Sequence, residues 1–188
     1  MSSSSPAQRL SYGLSLRTLH WLVAAIILLA IALGVIAIEL PRGPLRGDIM
    51  TIHKSLGVTA FVLFFPRLIV RWIERAPPYV PPLGALTRAA SSLVHLALYA
   101  LMILLPLTGY VTSEAGKHDV YWFWLFPIPN FVAPNEALDR AAETAHYILA
   151  LLVGAALIAH IGAACWHAWV KKDSVLTRMW PGFRPGSA

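Results

Sequence analysis

Four long apolar segments, at 18–40, 52–73, 89–112 and 142–170, dominate this chain of 188 residues. Each reaches the length of about 20 residues that a helix needs to cross the core of a bilayer. Hydrophobic residues make up 57% of the chain and charged residues only 13%, whereas a soluble domain has about 25% charged residues. The sequence therefore predicts an all-α integral membrane protein, built as a bundle of four transmembrane helices.

Polar stretches flank the apolar part of the chain and divide it into three regions. Residues 1–16 are polar and rich in serine, which predicts an N-terminal tail. Residues 17–173 form the predicted membrane domain, and residues 174–188 form a C-terminal tail. Arg9 and Arg17 precede the first apolar run as they would in a signal peptide. That run exceeds the about 7–15 residues of a signal peptide, so we expect it to be kept as a helix.

The loop between the third and fourth segments, from 113 to about 143, contains the aromatic run YWFWLF at 121–126. Tryptophan and tyrosine are common where a membrane meets water, because each side chain combines an apolar ring with a polar group. The run therefore predicts a short amphipathic or re-entrant piece at the outer membrane surface.

The distribution of lysine and arginine indicates how the helices are oriented. Ten of the fifteen residues lie on the side that holds both termini and the 74–88 loop. The net charge of +6 divides into +8 on that side and −2 on the other. Because positively charged loops stay in the cytoplasm, both termini are predicted to be cytoplasmic. The basic balance then reflects topology, and no nucleic-acid partner is predicted.

Four histidines, His20, His53, His146 and His160, lie inside the apolar segments. An ionisable side chain in hydrocarbon is costly and marks a functional site by default. His146 and His160 are fourteen residues apart on one predicted helix, which places them within about 40° of one face and about 21 Å apart along the axis. One helix therefore presents an imidazole to the bundle interior near each membrane surface.

Depth in the membrane sorts these histidines into two pairs, His53 with His146 outside and His20 with His160 inside. Imidazole is a common axial ligand of haem iron, and helical bundles build cofactor sites from facing helices. A metal site needs three or four ligands at one depth, and a proton relay normally adds buried acidic residues, which the segment interiors lack. The pairing predicts two bis-histidine haems b and an electron path across the membrane. Five glycines inside the segments permit close approach of helices or of a flat macrocycle: Gly34, Gly57, Gly109, Gly154 and Gly162.

Several further polar residues in the inner half are candidates for supporting roles. His95 is expected to be a core residue or a hydrogen-bond donor to a haem propionate rather than a ligand. Arg67 and Arg71, one turn apart, either pair with propionates or snorkel to the membrane surface. His167 is either an interfacial histidine or a proton donor to a quinone.

Long stretches of the chain also resemble a known family. The resemblance covers nearly all of residues 10–181 and rests on LRTLHWLVA at 16–24, IHKSLGVTAFVLFFPRLIVR at 52–71, LVHLALYALMILLPLTGY at 93–110 and AHYILALLVGAALIAHIGAACWHAWVKKDSVLTRMWP at 145–181. The chain is similar to the bacterial cytochrome b561 family, and within it to the four-helix, di-haem superoxide oxidases. In that family the haem-ligating histidines match His20, His53, His146 and His160. A histidine at the position of His167 lies where quinone is thought to bind.

The resemblance implies an enzyme of the bacterial inner membrane, a superoxide:quinone oxidoreductase. It would oxidise superoxide on the periplasmic side and pass electrons through the haems to ubiquinone. An anionic donor calls for positive potential at the outer mouth, yet the outer side sums to −2. We expect Lys54, beside His53, to steer the donor, and Lys117 and Arg140 are candidates to join it.

Two other functional classes stay open. Related b-type cytochromes are electron-transfer subunits that link a partner dehydrogenase, a hydrogenase or a periplasmic redox protein to the quinone pool, and stable co-purification with a partner would indicate this role. A structural membrane protein without redox function would be colourless when purified.

Overall fold

Four long helices make up most of the structure, a computed structural model that describes residues 10–183. In chain order they are α1 (Leu14–Glu39), α2 (Pro44–Ile73), α3 (Ala85–Ala115) and α4 (Glu136–Trp166). All four are long and apolar enough to cross a membrane, so the predicted helical membrane bundle is confirmed. Arg9 and Arg184, which entered the orientation prediction, lie outside the described residues.

Each helix begins several residues before the apolar segment that predicted it. α2 begins at Pro44, where a proline suits the first turn because it has a fixed φ and no N–H to satisfy. Asn135 is the N-cap of α4, and its side chain accepts a hydrogen bond from the backbone N–H of Leu138. Glu136 and Asp139 lie in that first turn, where negative charge is favourable. Apolarity marks only the part of each helix that meets hydrocarbon, and capping determines where the helix ends.

The bundle packs as two helix pairs, α1 against α2 and α3 against α4, with α2 also contacting α3. Leu16, Phe64 and Val153 are among the side chains buried between the helices. Large apolar side chains also cover the outer surface, and Ile158 and Leu151 on α4 are 76% and 59% exposed. An outer surface this apolar is unfavourable in water, and it is the surface that lipid tails cover in a membrane.

The two ends of the bundle differ in what covers them. We call the end with residues 10–13, 74–84 and 172–183 the terminal end, since the described part of the chain begins and ends there. We call the end with residues 40–43 and 116–135 the hairpin end, because its longer connection contains a small antiparallel hairpin of β1 (Tyr121–Trp122) and β2 (Phe126–Pro127).

At the terminal end, residues 174–183 are folded onto the bundle, although the sequence predicts a tail there. Arg178 donates a hydrogen bond to the Pro77 carbonyl (2.6 Å), and its guanidinium lies over the rings of Tyr79 and Tyr12, 3.8 and 5.2 Å from their centres. The Tyr12 N–H donates to the Arg178 carbonyl (3.0 Å). Burial raises the pKa of the Tyr12 phenol, against the opposing effect of the nearby arginine charges. The last residues of the predicted N-terminal tail therefore also belong to the folded domain.

At the hairpin end, the aromatic run forms a β-hairpin, which the sequence analysis did not predict. Tyr121 pairs with Pro127 and Trp122 with Phe126. The two central turn residues, Phe123 and Trp124, have φ of 46° and 60°. Positive φ at both positions is a type I′ turn, which normally uses Asn-Gly or Asp-Gly. The sequence carries no such signal, so the turn was missed.

A buried serine on α2 holds this turn in place. The hydroxyl of Ser55 accepts a hydrogen bond from the Phe123 N–H (2.7 Å) and lies 3.1 Å from the Tyr121 carbonyl oxygen. One turn farther along α2, the Thr59 hydroxyl accepts a bond from the Trp122 indole N–H (3.0 Å). Because Ser55 has no exposed surface, these bonds are shielded from water and stabilise an unfavourable turn.

We expect Ser55→Ala to release the hairpin from α2. The change leaves the Phe123 N–H without its acceptor, which costs about 1–3 kcal/mol and corresponds to about 5–150-fold in a local opening equilibrium. Hydrogen exchange at the Phe123 amide should accelerate accordingly. Thr144→Ala is the matched control, since that hydroxyl bonds only to the Arg140 carbonyl within α4. Unchanged exchange at Phe123 would show that Ser55 does not hold the turn.

Candidate functional site

The structure brings His53 of α2 and His146 of α4 together near the hairpin end. Their ring centres are 6.2 Å apart and their planes are nearly perpendicular, at 86°. His53 Nδ1 lies 2.8 Å from the Ala30 carbonyl oxygen, and His146 Nδ1 lies 3.0 Å from that of Leu105. A carbonyl oxygen only accepts hydrogen bonds, so each Nδ1 carries the hydrogen and each Nε2 keeps a free lone pair. Histidines that ligate metals show this arrangement.

His20 of α1 and His160 of α4 meet nearer the terminal end. Their ring centres are also 6.2 Å apart, with an angle of 64° between the planes. Within residues 10–183 there is no group of three or more His, Cys, Asp or Glu side chains suited to a metal ion. The sequence-predicted pairs are thus adjacent in space, and ligation of iron by them stays a prediction.

The distance within each pair fits two imidazoles on opposite sides of one iron atom. A metal–nitrogen bond to histidine is about 2.0 Å and an imidazole nitrogen is about 1.1 Å from its ring centre, so two such rings have centres about 6.2 Å apart. His95, by contrast, is edge-on to His160 with ring centres 5.1 Å apart, which is too short for an iron between them. This geometry supports the expectation that His95 is not an axial ligand.

Two glycines allow the hairpin-end histidines to lie against neighbouring helices. A Cβ atom at Gly34 would lie 2.9 Å from Cε1 of His53, and one at Gly109 would lie 2.9 Å from Cε1 of His146. Such contacts are shorter than packed carbon atoms tolerate, at about 3.5–4.0 Å. The backbones of α1 and α3 therefore form a cradle for the two rings. At Gly34 or Gly109, the side chain of any larger residue would occupy the space of a ring.

A cavity opens beside the hairpin-end pair, and Lys54 is part of its lining together with His53 and His146. The structure does not bring Lys117 and Arg140 to this lining. Arg140 forms an exposed ion pair with Glu136 (3.0 Å) on the first turn of α4, and Lys117 is exposed in the turn that follows α3. Of the three predicted cations, Lys54 alone lies at the cavity.

At the terminal-end pair, Arg67 contacts one of the histidines. Its Nη2 lies 3.1 Å from His20 Nδ1, and its guanidinium lies 5.6 Å from the centre of the Tyr99 ring. The Arg67 Nε is buried and has no hydrogen-bond partner in the part of the chain that the structure describes. A buried donor of this kind suits an anionic acceptor such as a carboxylate.

Arg71 and His95 have other contacts. Arg71 lies over the ring of Tyr12, 5.4 Å from its centre. His95 Nδ1 lies 2.6 Å from the Ser91 carbonyl oxygen of its own helix. His95 is adjacent to His160, whereas Arg71 lies one turn beyond Arg67 on α2, against Tyr12.

His167 lies at the terminal end in a π-helical turn, His167–Lys171, that follows α4 directly. Its Nδ1 is 2.5 Å from Oδ2 of Asp173, and both residues are buried. The sequence analysis did not select Asp173, because it follows two lysines in a polar stretch. The sequence did carry a signal for Asp173, because it is an acidic residue within an otherwise basic stretch near the end of the chain.

One buried carboxylate was also missed. α3 continues to Ala115, past the predicted end of the third segment at 112, and Glu114 is only 2% exposed. Its Oε2 has no partner among residues 10–183. Glu114 lies two residues beyond the predicted third segment, in a last turn of α3 that is polar in sequence but packed in the fold.

Comparisons with known proteins identify the family of the chain. A family model described as prokaryotic cytochrome b561 matches residues 11–182. Cytochrome b561 homolog 1 of Escherichia coli strain K12 is 35% identical over 170 residues, which cover 87% of this chain and 93% of the relative. Homolog 2 from the same strain is 30% identical over 89% of this chain and 90% of its own length. The probable superoxide oxidase CybB of Yersinia pestis is 28% identical over 87% of this chain and 92% of its own length.

Proposed function

The chain belongs to the prokaryotic cytochrome b561 family, and we propose that it binds two b-type haems and transfers electrons across a bacterial inner membrane. The observation that carries the proposal is the presence of two histidine pairs, each with ring centres 6.2 Å apart. The histidines that α4 contributes to them are about 21 Å apart along its axis. When bound at both levels, haem supplies one-electron redox chemistry.

In this proposal each histidine pair would bind the iron of one haem. His53 and His146 are preset for this role, because both donate Nδ1–H to helix carbonyls. At the terminal-end pair of His20 and His160, the buried Arg67 guanidinium offers an unused N–H to a haem propionate. Arg71 and His95 are proposed to support the same propionates from neighbouring positions.

We further propose superoxide as the electron donor at the hairpin end and ubiquinone as the acceptor at the terminal end. Two superoxide ions each lose one electron to give two molecules of oxygen, and one quinone takes two electrons and two protons to give a quinol. Lys54 provides positive charge at the cavity beside His53, and His167 is placed to donate protons. With both termini in the cytoplasm, as the charge bias indicates, the hairpin end faces the periplasm.

The second candidate is an electron-transfer subunit that receives electrons from a partner protein. Two observations favour it. The relatives with the higher identities, 35% and 30%, are named only as cytochrome b561 homologs. In addition, Arg140 is paired with Glu136, so Lys54 is the single predicted cation at the cavity of a side whose net charge is −2.

Stopped-flow mixing of the purified, oxidised protein with superoxide, with and without ubiquinone, tests the two candidates. Haem reduction near the diffusion ceiling of about 10⁸–10⁹ M⁻¹s⁻¹, with quinol formed under turnover, would establish a superoxide:quinone oxidoreductase. Slow reduction in protein that carries both haems would favour the electron-transfer subunit. A colourless protein that cannot be loaded with haem would contradict both.

We expect Gly109→Ala and Gly34→Ala to reduce haem binding at the hairpin end. In each case the new methyl group meets a histidine ring at 2.9 Å and must displace it from its ligating position. Haem content per chain, measured as the pyridine haemochrome, should fall from two towards one. Gly154→Ala is the matched control, because a Cβ there meets no atom within 4 Å. Full haem content in both cradle variants would contradict the assigned ring positions.

A further inference from the structure

His167 and Asp173 form a buried pair that the electron path does not use. His167 is 9% exposed and Asp173 is 8% exposed. The His167 Nδ1 lies 2.5 Å from one carboxylate oxygen of Asp173, and the other carboxylate oxygen accepts a hydrogen bond from the Val175 N–H (3.0 Å). Both oxygens of Asp173 are therefore engaged, and the carboxylate is fixed in position against the imidazole.

The backbone after α4 folds in a way that makes this contact possible. In a continuous α-helix, a residue six positions farther on lies about 240° around the axis and about 9 Å along it, too far to reach the His167 ring. Here the π-turn widens the helix, Lys172 takes the left-handed conformation with φ of 54°, and its N–H bonds to the His167 carbonyl. The Asp173 N–H donates to the same carbonyl (3.2 Å). Single π-turns of this kind occur frequently at functional sites.

The contact determines which ring nitrogen of His167 is available for chemistry. An ionised carboxylate only accepts hydrogen bonds, so Nδ1 holds its hydrogen and Nε2 is the nitrogen that gains and loses a proton. A carboxylate in this position also fixes the tautomer and the orientation of the ring, as in catalytic His–Asp pairs. The Nε2 atom of His167 has no hydrogen-bond partner among residues 10–183, and it is not fully buried.

The position of His167 relates the pair to the terminal-end site. Seven residues separate it from His160, so it lies about 20° away on the same face of α4 and about 10 Å farther towards the terminal end. In the proposed function, a quinone that takes electrons at the terminal end lies beyond His20 and His160, at the level of His167. Water at the terminal end returns the proton that a donor there has lost.

We propose that Asp173 is the positioning residue for a proton-donating His167, an inference that rests on the proposed reduction of a quinone. For each of the two electrons that a quinone receives, the Nε2–H bond of the His167 imidazolium breaks and an O–H bond forms at a quinone carbonyl oxygen. His167 recovers a proton from water between the two transfers. Asp173 accepts the hydrogen bond from Nδ1 throughout.

The experiment follows reoxidation of the pre-reduced, full-length protein by a short-chain ubiquinone in stopped flow, which removes the outer donor from the measurement. General acid catalysis contributes about 10²–10⁴-fold, so Asp173→Asn should slow reoxidation by about 10²-fold with little change in the KM for quinone. Asp173→Glu should restore most of the rate. Reduction by an external reductant should be unchanged in both variants.

A second readout does not depend on turnover. In ¹⁵N-histidine NMR spectra, His167 should carry its hydrogen on Nδ1 in the native protein and shift towards Nε2–H in Asp173→Asn, because an amide nitrogen can donate to Nδ1. Native reoxidation rates in Asp173→Asn would overturn the proposal. So would an equal loss in both variants together with slower reduction, since that pattern indicates a structural role. A native protein that quinone does not reoxidise would overturn the proposed function itself.

Discussion

Replacing His146 with alanine is expected to remove the haem at the hairpin end and to leave the one at the terminal end. His146 supplies one of the two Nε2 atoms of its pair, and no other histidine is placed across from His53 in the described structure. Haem content per chain should fall from two to one. Superoxide-driven quinone reduction should fall to background, because the proposed site of electron entry is lost.

The companion variants make this prediction specific. His53→Ala should behave as His146→Ala does, whereas His20→Ala and His160→Ala should each remove only the terminal-end haem. His95→Ala should keep both haems, since its ring is too close to His160 to lie across an iron from it. Loss of both haems from one single variant with an intact helical circular dichroism spectrum would show that the pairing is wrong.

A histidine outside the pairs provides the control. His118 is exposed in the connection between α3 and the hairpin, and its replacement by alanine should alter neither the haem content nor the reduction rate. With this control, a haem lost from the paired variants reflects the loss of a ligand. It does not reflect a general sensitivity of the bundle to removal of histidine.

The second large effect is expected from Lys54→Glu, which should slow haem reduction by superoxide about tenfold or more at low ionic strength. Lys54 lines the cavity beside His53 and His146, so the change reverses the charge where the anionic donor arrives. Electrostatic steering changes association rates by about 10–10³-fold. At 1 M salt the Debye length falls to about 3 Å, and the difference from the native protein should largely disappear.

Matched charge reversals test whether the position of Lys54 matters or only the total charge of the surface. Lys117→Glu and Arg140→Glu change the net charge by the same amount but lie away from the cavity lining. Both should slow the reaction much less than Lys54→Glu. Reduction by an uncharged reductant should be equal in all variants. A Lys54→Glu protein with no salt-dependent difference in rate would remove Lys54 from the proposed mechanism.

Much of the architecture was predictable from the sequence because it depends on local patterns. Apolar runs of membrane length predicted α1 to α4, and helical geometry predicted that His146 and His160 share a face. The order of the spans then placed His53 and His20 at matching depths. The errors lie at the ends of the elements, where polar residues such as Glu114 extend a helix and where capping, rather than apolarity, determines the boundary.

The hairpin shows where such patterns fail. Phe123 and Trp124 occupy a turn that normally selects asparagine, aspartate and glycine, so the sequence carries no sign of it. The turn is stable because Ser55 binds it, and Ser55 is 68 residues away from Phe123 in the chain. The backbone conformation is therefore a consequence of a tertiary contact.

The sequence by itself determined the four membrane helices and the two depths at which histidines lie, since hydrophobicity and helical periodicity act between near neighbours. The tertiary structure alone decided which two of five glycines cradle a histidine ring, Gly34 and Gly109, and which carboxylate meets His167. It also folded the predicted tail, through Arg178 and Tyr12, into the terminal end. These contacts join groups that approach one another only after the helices pack or the backbone turns back, and no local pattern encodes that approach.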